Sequence, residues 1–197
     1  MSTPVYPAVL SPTPDTVFDQ VWAWVASLFM VDITNANDPL QSRILKGNQN
    51  FIATPAGGDY AIIQPLVNEA LNQNIRDYTP NVDPTNPAGV VANELHVKQS
   101  WQVDCYGPDA ATWAATIAGA WRTMWTIDNW PDGTPFAITP LYADQPQLLT
   151  IVNGEGQFES RYLVKLYGQV NQTVTLPQAF FADATIDAVP VDVVPLS

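Results

Sequence analysis

The chain has 197 residues, 47% of them apolar, with 18 prolines and one cysteine. That is enough chain for one domain to bury a core without metals, and a lone Cys105 excludes an internal disulfide and suits a reducing cytosol. Nineteen acids against seven bases leave a formal charge of −12, and Arg43, Lys46, Arg76, Lys98, Arg122, Arg161 and Lys165 include no three close in sequence, which argues against tight DNA or RNA binding.

Residues 1–14 hold four prolines and are expected as an extended arm. They lack the basic start and apolar stretch of a signal peptide. A helix is predicted from about Asp15, capped by Thr13 or Asp15, with Val17, Phe18, Val21, Trp22, Trp24, Val25, Leu28 and Phe29 as its apolar positions. These cover more than half its circumference, which fits a packed helix or one with an edge against a second subunit. Asp32 to Asn50 is polar and predicts a loop, with a short helical turn around Pro39–Leu45. Strand pieces are predicted at Phe51–Ala53 and Tyr60–Ile63, separated by the turn Pro55-Ala56-Gly57-Gly58. Another is predicted within Leu71–Tyr78, and Thr79–Ala92 reads as the tip of a long hairpin.

The hairpin returns along His96–Cys105. Val97, Trp101, Val103 and Cys105 alternate with Lys98, Ser100, Gln102 and Asp104, the period of a half-buried strand, with Gln99 the polar exception on the apolar face. Gly107-Pro108-Asp109 reads as a stop and a helix start. Trp113, Ala114, Ile117, Ala118, Trp121, Met124 and Trp125 then predict one continuous helix with a single apolar stripe. After the turn Trp130-Pro131-Asp132-Gly133, strands are predicted at Phe136–Tyr142, interrupted by Pro140, and at Leu148–Val152. Asn153-Gly154-Glu155-Gly156 is a hairpin turn. Phe158–Val170 is the longest alternating run, and at about 3.3 Å per residue it would span roughly 40 Å. Thr173–Leu176 continues the sheet until Pro177 ends it, and the last residues form a second arm. The organisation expected is an N-terminal arm (1–14), a single α+β domain (15–176) and a C-terminal arm (177–197). One-sided strands beside one-sided helices point to helices packed on a sheet, and no segment comes near the roughly 18 apolar residues that cross a membrane.

Catalytic sets are missing from this pattern. One histidine and one cysteine exclude multi-histidine and cysteine-rich zinc sites. His96 and Cys105 fall on opposite faces of one strand, so they make no nucleophile–base dyad. No phosphate-cradling loop and no G-x-S-x-G pattern occurs. Acids at Asp144, Glu155 and Glu159 lie in or beside predicted turns, where solvated carboxylates are the default. Trp101, Trp113, Trp121 and Trp125 belong to apolar faces, which leaves Trp130 as the candidate for an exposed aromatic platform. The residues therefore point away from an enzyme and require no cofactor and no metal.

Several pieces in order carry a resemblance. Trp101-Gln-Val-Asp-Cys-Tyr-Gly107, Pro140-Leu-Tyr-Ala-Asp144, Val152-Asn-Gly-Glu155, Gln157–Tyr162 and the late Val174-Thr-Leu-Pro-Gln178 with Phe180 resemble the neck or tail-terminator proteins of long-tailed phages, over about residues 45–190. The resemblance implies an α+β fold, two main helices packed on a mixed, mostly antiparallel sheet, in a subunit of a hexameric ring in the virion neck, assembled in the host cytoplasm. Such a ring sits on the tail tube, stops its polymerisation and docks the head connector; in a contractile tail it also meets the sheath. Genomic DNA would pass through its lumen without specific binding, and six copies would carry 6 × −12 = −72. Asp144, Glu155, Glu159 and Trp130 are the expected ring or partner contacts. The alternatives are a tail-tube or other connector subunit and, in a different class, an acidic carbohydrate-binding or hydrolytic domain that would use Trp130.

Overall fold

The computed structural model describes residues 8–29, 41–47, 55, 57–79, 88–130, 138–152 and 158–179. Two long antiparallel strands dominate it: β5 (Ala88–Tyr106) and β8 (Phe158–Ala179) pair without interruption from Ala88 opposite Ala179 to Tyr106 opposite Arg161. Every other strand is an addition to this ladder. On the β5 side, β3 (Tyr60–Ala70) pairs along Val97–Tyr106 and β4 (Ile75–Thr79) continues the same line along Val90–Glu94. On the β8 side, β7 (Gln147–Val152), β6 (Ile138–Ala143) and β1 (Val9–Ser11) follow one another along Phe158–Leu163, Leu166–Val170 and Thr173–Thr175. All these pairs are antiparallel; only β2 (Ile44–Lys46) runs parallel, against β3. The α+β class with a mostly antiparallel sheet is as expected: the periodicities pointed to helices on a sheet, and the family resemblance implied the class.

Helices cover one face of the ladder's proximal half. Helix α1 (Pro14–Leu28) begins where Thr13 accepts a hydrogen bond from the Thr16 amide, with Pro14 in its first turn, where a missing N–H costs nothing. The Trp22 indole donates to the Ile44 carbonyl at 2.8 Å, and Lys46 pairs with Asp19, fastening α1 to β2. Helix α2 (Ala110–Ala120) starts after Gly107, whose φ of +108° and contact with Asp59 leave no room for a side chain. The Asp59 carboxylate accepts from the Asp109 amide at 2.7 Å and so closes the helix start from a distant element. Phe29 stacks on Trp113 at 4.1 Å and joins the two helices.

Beneath them Val97, Trp101, Val103 and Cys105 of β5 meet Val164, Leu166 and Val170 of β8 and Trp24 of α1, all buried. Gln99, the expected exception, is buried with them at 4% exposure.

Six expectations need correction. The stripe Trp113–Trp125 is not one helix: the chain turns after Ala120, and α3 (Met124–Asp128) restarts behind Thr123. The Ala120 carbonyl accepts from the Thr123 and Thr126 hydroxyls at 2.8 and 2.6 Å, replacing helical hydrogen bonds at the break, so Met124 and Trp125 stay exposed. Part of the expected N-terminal arm, Val9–Ser11, is an edge strand. Ile44–Lys46, expected as loop, is strand β2, too short to show a period. Pro177 does not end β8: it pairs opposite Val90, beyond the reach of β1, where no strand among the described residues takes the other side of β8 and a missing N–H is tolerated. Leu71–Tyr78 is not strand throughout, since β3 stops at Ala70 and β4 starts at Ile75. The sixth is the hairpin tip expected at Thr79–Ala92: Thr79 closes β4 and β5 already begins at Ala88, so the return strand is longer than the expected His96–Cys105. Residues 80–87 of that tip, the expected strand at Phe51–Ala53, residues 131–133 and 153–156 of the two expected turns, and residues 180–197 of the C-terminal arm lie outside the described residues.

Gly168 sits on the core face of β8, where an added Cβ would lie 2.8 Å from the Ile138 side chain and 3.1 Å from the Trp101 ring. Gly168→Ala should therefore destabilise the fold by about 1–3 kcal/mol in denaturant titration. Gly119→Ala on α2, where nothing lies within 4 Å, should instead stabilise it by roughly 0.5–1 kcal/mol. Equal effects from the two substitutions would contradict this packing.

Candidate partner-contact surfaces

No helix packs on the other face of the sheet among the described residues, yet that face is not simply wet. Asp104, which the alternation assigns to the polar side, is 2% exposed. The Arg161 guanidinium donates to one of its oxygens from Nε at 3.1 Å and from Nη2 at 3.0 Å. Gln102 donates to the other at 2.8 Å, with Gln64 at 3.5 Å. Arg161 also lies over the Tyr106 ring, which stacks on Tyr60 at 4.7 Å. A two-point guanidinium–carboxylate pair is directional, and here it ties β5 to β8 on the uncovered face. Farther along, Lys98 pairs with Glu69 at 2.6 Å and His96 with Glu94 at 3.0 Å. The charges on this face are largely cancelled in place.

The four predicted contact residues do not converge. Asp144 follows β6 and accepts from the Tyr167 hydroxyl at 3.2 Å, while its amide donates to the Lys165 carbonyl at 2.8 Å. Tyr167 stacks on Tyr142 at 4.4 Å; burial first, and then the Asp144 charge, raise its pKa, so it remains a phenol donor at neutral pH. Glu159 lies in β8 opposite Ile151, six positions from Lys165, or roughly 20 Å along the strand from the Asp144 level. Its side chain and all of Glu155 lie outside what is described. Trp130 is not the open platform expected of a residue beside a turn: it is half-buried, its ring stacked 6.4 Å from Trp24 and tilted by 58° against Trp121 at 6.0 Å. Its neighbours come from α1 and from the end of α2, which no local pattern could bring together.

Sequence reasoning missed two further surfaces. Met124, Trp125 and Ile127 form an exposed apolar turn on α3, the part of the stripe that never reaches the core. The second is the distal end of the ladder, where β1, β8, β5 and β4 form a four-stranded blade beyond the helices. Val9, Leu10, Ile75, Tyr78, Val90 and Leu176 are all exposed there. Such a concentration marks a contact surface more often than a free one.

Cys105 offers no chemistry. It is fully buried, and burial, followed by the neighbouring Asp104 charge, pushes its thiol up to about 12. No group of acids, histidines and cysteines that could hold a metal occurs among the described residues, and no described helix is long and apolar enough to cross a membrane.

Compared with known proteins, residues 15–194 match the family model of the phage neck terminator protein. That family consists of structural phage neck proteins and is not a known enzyme family. No curated protein matches the chain.

Removing the Arg161 side chain would strand a buried carboxylate. Arg161→Ala should cost roughly 2–4 kcal/mol of stability, at the lower end for a broken buried pair because Gln102 still donates to Asp104. A loss below about 1 kcal/mol would show the pair to be ornamental. The thiol gives a second test: Cys105 should resist alkylation in the native protein and react only on unfolding, whereas prompt labelling would contradict its burial.

Proposed function

The chain belongs to the phage neck terminator family, and from that premise we propose that it forms a ring on the end of the tail tube, stops its growth and joins the tail to the head connector. Membership itself carries the coarser statement: a structural protein of the head–tail junction, found in the virion and in contact with other head–tail proteins. The match over residues 15–194 is the observation on which the reading rests.

The geometry supports a role in assembly. A ladder exposing apolar residues at one end and an apolar turn on α3 give one subunit several separate contact surfaces. Six copies in a closed ring satisfy a heterologous contact without leaving an open end. The formal −12 of each copy then lets a DNA backbone pass without adhering. In this reading Asp144, Glu155, Glu159 and the exposed margin of Trp130 contact neighbours in the ring or on its two faces. The partners are the tail-tube protein on one side and the head connector on the other, with the sheath added in a contractile tail.

The experiment is a nonsense mutation of the gene in its parent phage, followed by negative-stain electron microscopy. Tails of uncontrolled length, detached from filled heads, are the expected outcome. Absence of tails altogether would indicate a tube subunit instead, and normal particles would remove the protein from the junction.

A further inference from the structure

The distal blade has two open edges. Among the described residues β4 pairs only with β5 and β1 only with β8, so the outer backbone groups of both strands face no protein partner. All eight residues of these two strands are exposed. Open edges of this kind invite pairing with another chain, and proteins normally block them with bulges, prolines or inward charges. The registers of β1 and β4 show no bulge and neither strand contains a proline.

The direction of the strands selects the occupant. Across β1–β8–β5–β4 every neighbour is antiparallel, so β1 and β5 run one way and β8 and β4 the other. A copy related by rotation about an axis along the strands keeps both its strand directions and the face it turns to that axis. Its β4 therefore arrives antiparallel to β1, in phase with the alternation, and the sheet continues from one copy to the next. The faces match as well. Leu10, Val174, Asn93 and Arg76 lie at one level of the blade, with Val91, Leu176 and Tyr78 on the same face. Joining the edges sets Leu10 beside Arg76, or beside Tyr78 after the two-residue slip that preserves the faces.

Charge favours the same junction. Two copies of a chain at −12 repel unless they meet where acids do not face acids. Val9–Ser11 carries no charge, and the two charges of β4, Arg76 and Asp77, cancel. The guanidinium of Arg76 has no acidic partner of its own among the described residues.

We propose that β4 of one copy pairs antiparallel with β1 of the next, and that this repeated head-to-tail seam joins the subunits of the ring. The inference rests on the ring reading above and names the surface that builds it. Cysteine cross-linking tests it cleanly. Within one chain Leu10 and Arg76 are three strand spacings apart, about 14 Å, too far for a disulfide. Native Cys105 is buried and does not compete.

The double variant Leu10→Cys with Arg76→Cys, or Leu10→Cys with Tyr78→Cys, should give a ladder of covalent dimers, trimers and higher species on a non-reducing gel. Each single variant should give none. Light scattering on the wild type runs in parallel, and matching melts of the reduced variants check their folding. Val9→Cys with Asp77→Cys serves on the opposite face if Arg76→Cys or Tyr78→Cys disturbs the blade. Assembled protein in which no pair cross-links would overturn the seam while leaving the ring intact. Cross-linking of a single variant would also overturn it, since that requires a two-fold contact. A wild type that stays monomeric would overturn the seam as a self-sufficient joint, and the tail phenotype then decides separately whether the ring reading survives.

Discussion

The uninterrupted pairing of β5 with β8 is the constraint from which the rest of the structure follows. Nineteen residues of β5 in continuous register reach roughly 60 Å, whereas a compact domain of this length has a radius of gyration of about 16 Å. Two helices of 15 and 11 residues cannot cover such a ribbon. They cover its proximal half, where the strands alternate cleanly, and leave the distal half to β1 and β4. The fold is thus a packed domain with a sheet that outruns its own core. In an isolated protein that excess would be a liability; in a subunit of an assembly it is a reach.

The proximal half is held by aromatic packing as much as by aliphatic contacts. Trp24, Trp101 and Trp121 are fully buried, with Trp121 edge-on to Trp24 at 4.8 Å and to Trp101 at 6.0 Å. Such pairs contribute about 0.5–1.5 kcal/mol each beyond the area they bury. The Trp121 indole also donates to the Tyr167 carbonyl at 2.9 Å, fixing the end of α2 to β8. That bond is why the apolar stripe breaks where it does. Trp121 is committed to the sheet, and the Ala120 carbonyl turns to the Thr123 and Thr126 hydroxyls, so α3 leaves in a new direction. Gly168 belongs to the same arrangement, since its missing side chain is the space that Trp101 and Ile138 fill.

What could be read from the sequence was whatever repeats locally. The alternation in Val97–Cys105 and Tyr162–Val170, the Thr13 cap with its Pro14 start, and the turn before α2 all depend on neighbours within a few residues, and all appear in the structure. The family resemblance was also legible, because most of its motifs lie on β5 and β8, the central pair of the sheet, and on β6 beside them. Hidden from it was everything set by register between distant segments. Arg161 and Asp104 are 57 positions apart, and nothing in either strand alone reveals that they lie diagonally across one face of the ladder. Trp130 looked exposed because it adjoins a turn, while its actual neighbours come from α1 and the end of α2. Strands β1 and β2, three residues each, are too short for any period and exist only because a long neighbour offers an edge.

The same register determines how the scarce positive charge is used. Of the seven bases, Lys46, Lys98 and Arg161 face the acids Asp19, Glu69 and Asp104, and Arg43 donates to the carbonyls of Gly57 and Asp59. Each of these four cations fastens one element to another: β2 to α1, β3 to β5, β5 to β8, and the turn before β2 to the turn before β3. Cations engaged in this way cannot also grip phosphate. What remains is Arg76 on the blade edge, Arg122 between α2 and α3, and Lys165 on the helix-free face, three cations on three separate surfaces. A phosphate backbone passing this protein would meet no cluster of them, so the chain offers no basic groove to grip it.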